Sequence, residues 1–221
     1  MNQPLLPLPG DLQAAFIPAL DTRATHTLIA LHGLGDSLEG YRWLPSALGL
    51  SKLNYLLVNA PDPYYGGFSW YDLYEDPDSG VRRSRTLLTG LLQHLEGKGV
   101  KAESTILFGF SQGCLMTLDV GLRYPRRLAG LVGISGYVHQ PSELLKELGP
   151  AAKTQPTLVT HGTRDPLIPF ARVRSQMFQL RDAGIPLVWK EFEKEHTIAG
   201  EEELSVIREF IVSCMSPSSG V

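Results

Sequence analysis

Short apolar runs alternate along this chain with helix-period patterns, and that alternation restricts the possible folds more than any other feature. The runs cover Thr27–Leu31, Tyr55–Asn59, Thr105–Phe108, Leu128–Ile134, Thr157–His161 and Leu187–Phe192. Each has the length and near-continuous hydrophobicity of a strand buried on both faces. Between most of them stand amphipathic patterns: Leu88, Leu91, Leu92 and Leu95 share one helical face, as do Phe170, Val173 and Met177, with Gly184 placed to end the second helix. Parallel strands need long crossovers, and helices supply them. The expected fold is therefore α/β, a mostly parallel central sheet with helices on both faces.

With 43% hydrophobic and 19% charged residues in 221, the chain has the composition of one globular unit. A single domain over residues 1–221 is expected. Its first ~25 residues read as one or two antiparallel edge strands, and 216–221 as a frayed tail. The formal charge of -3 and the lack of a Lys/Arg run argue against a nucleic-acid partner. The start has no basic leader and no apolar stretch reaches the ~18 residues of a transmembrane helix, so a cytoplasmic protein is expected. Cys114 and Cys214 each fall in a helix-like pattern and read as free thiols. The six histidines are scattered and no CxxC or HExxH occurs, which implies no metal site.

Gly109-Phe110-Ser111-Gln112-Gly113 follows one strand and precedes the helical pattern Leu115, Leu118, Leu122. A serine at the apex of a strand, sharp turn and helix is a nucleophile elbow, the hallmark of the α/β-hydrolase fold. Flanking glycines leave room for the strained turn, and the helix start offers amides to a developing oxyanion. A serine hydroxyl needs a general base, and the base needs an orienting carboxylate. In this fold they follow in the order Ser, acid, His, each at the carboxyl end of a strand. Asp165, in Gly162-Thr163-Arg164-Asp165-Pro166, lies just past one strand, whereas Asp119 and Asp182 lie in helical patterns. His196 lies four residues past the last strand; His161 would reverse the order. The candidate catalytic residues are Ser111, Asp165 and His196.

His32-Gly33-Leu34-Gly35-Asp36 follows the first strand and can turn a backbone amide inward as the second half of an oxyanion hole. A dinucleotide-binding GxGxxG is rejected because Leu38 stands where its third glycine belongs. Six aromatics crowd Tyr64 to Tyr74, among them Tyr65, Phe68, Trp70 and Tyr71. They form either an apolar wall for an acyl chain or a core cluster beneath a loop, and both readings stand.

Together, His32-Gly33-Leu34-Gly35-Asp36, Ser69-Trp70-Tyr71-Asp72, Gly109-Phe110-Ser111-Gln112-Gly113 and Asp165-Pro166-Leu167-Ile168-Pro169 resemble the phospholipase/carboxylesterase family, which includes acyl-protein thioesterases and bacterial carboxylesterases. The resemblance runs from about His26 to Val212. It implies a monomeric or weakly dimeric esterase without cofactor, with Ser111, Asp165 and His196 as triad and the Leu34 and Gln112 amides as oxyanion hole. It also implies that Trp70 and Tyr71 border the acyl site, and it adds Tyr137 as a further pocket residue. Two positions depart from the family pattern: Glu195, where glycine often precedes the histidine, and Cys114, where a second glycine is usual. The expected activity is hydrolysis of small-molecule or lipid esters with short to medium acyl chains. Alternatives are an acyl-protein thioesterase or lysophospholipase acting on long chains, and a ligand-binding protein that keeps the fold without turnover.

Overall fold

Successive side chains of a strand point to opposite faces of its sheet, and in this chain both faces find an apolar layer. In the computed structural model, which describes residues 6–8, 10 and 12–216, Ile29 and Leu31 enter one core while Leu28 and Ala30 enter the other. Leu107 likewise faces the first, and Ile106 and Phe108 the second. Two-sided burial explains why these strands read as unbroken apolar runs.

The elements in chain order are β1 (Leu6–Pro7), β2 (Gln13–Ile17), β3 (His26–Leu31), α1 (Leu44–Leu48), β4 (Leu53–Val58), β5 (Asp62–Tyr64), β6 (Gly67–Ser69), α2 (Pro77–Gly97), β7 (Thr105–Phe110), α3 (Gln112–Gly121), β8 (Gly130–Ile134), α4 (Pro141–Lys146), β9 (Thr157–Gly162), α5 (Phe170–Asp182), β10 (Leu187–Phe192) and α6 (Gly200–Met215). The main sheet has the order β1-β2-β4-β3-β7-β8-β9-β10. From β4 to β10 every pairing is parallel; β1 and β2 form an antiparallel edge. Apolar faces of α2, α3, α4 and α5 fill one core, and those of α1 and α6 fill the other. The tail beyond Ser216 lies outside the described residues.

Two departures from the sequence reading have local causes. The run from Leu128 becomes a strand only at Gly130, because the Gln155 side chain accepts from the Leu128 amide at 2.8 Å and donates to its carbonyl at 3.3 Å. These bonds satisfy the Leu128 backbone outside the ladder. The aromatic segment, read as a loop, contains the hairpin β5–β6. Its two-residue connection, Tyr65-Gly66, has φ of 43° and 89°, the left-handed pair that a tight hairpin turn needs.

Candidate active site

The nucleophile elbow follows from close backbone packing. A Cβ at Gly109 would lie 2.1 Å from the Gly113 carbonyl oxygen, and one at Gly113 would lie 2.0 Å from that of Leu31. Only glycine fits either position. Between them Ser111 adopts φ 54°, ψ -115°, a conformation unfavourable for a residue with a Cβ. The Ser111 amide is held by the Ile134 carbonyl at 2.9 Å, and α3 starts at the next residue. The hydroxyl thus leaves the carboxyl end of the central strand β7.

Strands β9 and β10, further along the same sheet, supply its partners. The loop after β9 carries Asp165 and the loop after β10 carries His196, and the three side chains meet. His196 Nε2 lies 2.9 Å from Ser111 Oγ, and His196 Nδ1 lies 2.8 Å from Asp165 Oδ2. A carboxylate only accepts, so Nδ1 donates to it and Nε2 is left to accept from the serine hydroxyl. The other carboxylate oxygen accepts from the Leu167 and Ile168 amides, each at 2.9 Å. Burial pushes the Asp165 carboxyl up, but the Ile168 amide, the His196 ring and the Leu167 amide outweigh it and hold it below the ordinary value. Phe110 packs its ring 5.0 Å from the His196 ring.

His161, the rival base, sits beside the acid instead. Its Nε2 donates to the Ile168 carbonyl at 3.0 Å and lies 3.6 Å from Asp165 Oδ2, while its ring stacks on Trp189. It therefore braces the loop whose amides hold Asp165. Burial pulls its pKa down, so it is neutral near pH 7. A second brace involves Lys194 and Glu203, both buried. Lys194 Nζ donates to both Glu203 oxygens, at 2.6 and 2.8 Å, and Glu203 also accepts from the Ala199 amide. This pair anchors the His196 loop to the first turn of α6.

Facing the elbow is the loop after β3. Ala60 N–H donates to His32 Nε2 at 3.0 Å, so the imidazole proton resides on Nδ1, which donates to the Gly33 carbonyl at 2.6 Å. In a trans peptide the C=O and the following N–H point in opposite directions. Holding the Gly33 carbonyl therefore turns the Leu34 N–H away from His32. Among the described residues no protein group accepts from the Leu34 or Gln112 amide. Both residues line a cavity of about 650 Å³ together with Ser111, His196, Tyr71, Tyr137, Ile168 and Arg172.

The aromatic segment divides between core and cavity. Tyr71 and Tyr137 line the cavity, their hydroxyls 3.4 Å apart. Three of the candidate pocket residues lie elsewhere. Trp70 is fully buried in the core, where its indole N–H donates to the His32 carbonyl at 2.9 Å and its amide to Gln112 Oε1 at 3.0 Å. Phe68 packs half-buried against the same core and near the His32 ring. Tyr65 is 96% exposed at the hairpin turn, its ring edge-on to Tyr64, and it lines no part of the cavity. Gln112 Nε2 also donates to the Tyr71 carbonyl at 2.9 Å, and so does Ser69 Oγ at 2.7 Å. The Ser69-Trp70-Tyr71 segment thus ties together the two loops that present the free amides. Sequence reading missed His32, His161, Lys194, Glu203 and Arg172. Only His32 and His161 carried a signal, each at the carboxyl end of an apolar run just before a glycine.

Cys114, one of the two departures from the family pattern, is buried against Gly133 and Gly136 as a free thiol whose pKa burial pushes up to about 12. Glu195 is exposed, its side chain outside the cavity. Among the described residues no helix is long and apolar enough to cross a membrane.

Comparison with known proteins agrees with this architecture. The phospholipase/carboxylesterase family profile matches residues 12–215. The chain is 32% identical over 215 residues to acyl-protein thioesterase 1 of Yarrowia lipolytica, covering 88% of this chain and 93% of that protein. It is 34% identical over 158 residues to acyl-protein thioesterase 1 of Schizosaccharomyces pombe, covering 66% and 70%. Among solved structures, esterase PE8 superposes with a TM-score of 0.81 at 28% identity, over 92% of this chain and 99% of that one. An elbow serine at the centre of a parallel sheet, a family match across nearly the whole chain and esterase relatives converge: the chain is a carboxylic ester hydrolase of the phospholipase/carboxylesterase family, with the α/β-hydrolase fold.

Proposed function

We propose that this protein is a one-domain serine carboxylesterase that hydrolyses esters of short to medium acyl chains through an acyl-enzyme. The observation that carries this reading is the continuous hydrogen-bonded chain Ser111–His196–Asp165, at 2.9 and 2.8 Å. His196 takes the Ser111 proton as the oxygen attacks the acyl carbon, then gives it to the departing alcohol. Asp165 fixes the ring's tautomer and stabilises its charged form. The Leu34 and Gln112 amides receive the tetrahedral oxyanion, and water, activated by the same histidine, releases the acid. Tyr71 and Tyr137 line the acyl site.

A second reading, hydrolysis of long-chain thioesters or lysophospholipids, uses the same steps. It is supported by the naming of the fungal relatives as acyl-protein thioesterases. Free thiols at Cys114 and Cys214 support action in the cytoplasm, and the proposed state is a monomer or weak homodimer.

Hydrolysis of p-nitrophenyl esters from acetate to palmitate tests both readings. Wild type is expected to turn over the short esters best, with Ser111→Ala down by about 10⁶ in kcat and Asp165→Asn by about 10⁴. A maximum at palmitate would favour the long-chain reading, and near-full activity in Ser111→Ala would overturn the nucleophile.

A further inference from the structure

Asp36 and Arg172 both line the cavity, and the mechanism uses neither. Asp36 stands on the loop after β3 and Arg172 on the first turn of α5, after β9. Because β7 lies between β3 and β9 in the sheet, these residues flank Ser111 on opposite sides. A second depression continues from the Asp36 side; it shares Asp36, Phe110 and His196 with the main cavity and lacks Arg172. The group that protonates a leaving alcohol must lie beside it, and His196 lines both the main cavity and the second depression, so the alcohol belongs toward that depression. That leaves the acyl portion for the side of Tyr137 and Arg172.

Arg172 is well prepared for a ligand there. Its guanidinium carbon sits 4.9 Å from the Tyr137 ring centroid, a stacked arrangement that restrains the side chain. Its neighbour Arg174 pairs with Glu191 at 3.1 Å, whereas Arg172 forms no ion pair with any carboxylate among the described residues. The wall of the same cavity includes the apolar side chains of Leu167 and Ile168 and the ring of Tyr71. An apolar wall beside an exposed, unpaired guanidinium that lies over the Tyr137 ring matches an acyl chain that ends in a carboxylate, which the planar fork can bind with two parallel hydrogen bonds.

Building on the serine esterase reading above, we infer that Arg172 is a specificity-determining residue that selects acyl groups bearing a terminal carboxylate, the half-esters of dicarboxylic acids. Asp36 repels the same carboxylate from the opposite side and so favours one orientation of the substrate.

The test compares monoethyl adipate and monoethyl suberate with ethyl hexanoate and ethyl octanoate, followed by pH-stat titration. Wild type is expected to prefer each half-ester to its neutral counterpart. Arg172→Gln should lower that preference about five- to tenfold through the KM of the half-ester, with Arg172→Lys recovering part of it. An unchanged preference in Arg172→Gln, or an equal loss on charged and neutral esters, would overturn the assignment. Calorimetric binding of monoethyl adipate to Ser111→Ala and to Ser111→Ala/Arg172→Gln reads the same contact without turnover. Tighter binding with Arg172 present supports the inference even where the serine mechanism fails, and equal binding sinks it.

Discussion

At the scale of single residues, much of the candidate site depends on side chains that never approach a reacting atom. His32 is one of them: both ring nitrogens are engaged, one by the Ala60 amide and one by the Gly33 carbonyl, and the outcome is a fixed direction for the Leu34 N–H. It is a positioning residue. His32→Ala is expected to lower kcat on a simple ester by about 10²–10³, the cost of losing one oxyanion donor, while KM changes little. His32→Asn, whose amide can reach the Gly33 carbonyl, should restore part of the rate. A fall confined to stability, with kcat kept in the folded His32→Ala protein, would remove His32 from this role. Gln112 serves twice in the same frame. Its backbone N–H has no acceptor among the described residues, and its side chain bonds the Trp70 amide and the Tyr71 carbonyl.

At the scale of elements, the loop after β10 is fixed by what it buries. Lys194 and Glu203 exclude water from each other, and burial pulls the lysine pKa down even though the glutamate opposes it. Removing one partner leaves a buried charge unpaired, which costs about 3–5 kcal/mol, whereas replacing both with apolar residues is often neutral. Lys194→Met is therefore expected to lower the unfolding free energy by that amount, and Lys194→Met/Glu203→Leu to recover most of it. Urea titration of the three proteins checks this. A double variant no more stable than the single would show that the Glu203 bond to the Ala199 amide, and not the ion pair, holds the loop.

At the scale of the whole molecule, buried neutral histidines make stability depend on pH. Burial lowers the pKa of both His32 and His161. In the unfolded chain a histidine titrates near 6.5, so below that value the unfolded state binds protons that the native state refuses. Stability is then full above about pH 6.5 and falls as the pH drops toward the native pKa, by up to about 1.4 kcal/mol per pH unit for each histidine. Asp165, held below its ordinary value, adds a loss of the same sign in the carboxylate range. Urea midpoints between about pH 7.5 and 5.5 should show this slope, and His161→Gln should reduce it. A wild-type stability flat across that interval would refute the linkage.

The alternation of strands and helices, the elbow around Ser111 and the strand-end positions of Asp165 and His196 were legible in the sequence. Each rests on local periodicity or chain order: a parallel sheet brings the ends of β7, β9 and β10 together whatever the side chains between them. Which aromatics face the cavity was not legible. Trp70 and Tyr71 are adjacent and both buried in one core, yet only Tyr71 also borders the cavity, while Trp70 is held by Gln112 and His32 from distant parts of the chain. Tyr65 turned outward because the hairpin needs a left-handed backbone there. The stacking of Arg172 on Tyr137 and the burial of Lys194 with Glu203 likewise join residues whose pairing no sequence spacing records. Sequence alone determined the scaffold and the order of its chemical groups, because hydrophobic period and connectivity are local properties. Tertiary structure decided the shape and charge of the cavity, because those depend on which side chains from separate crossovers converge at the carboxyl edge of the sheet.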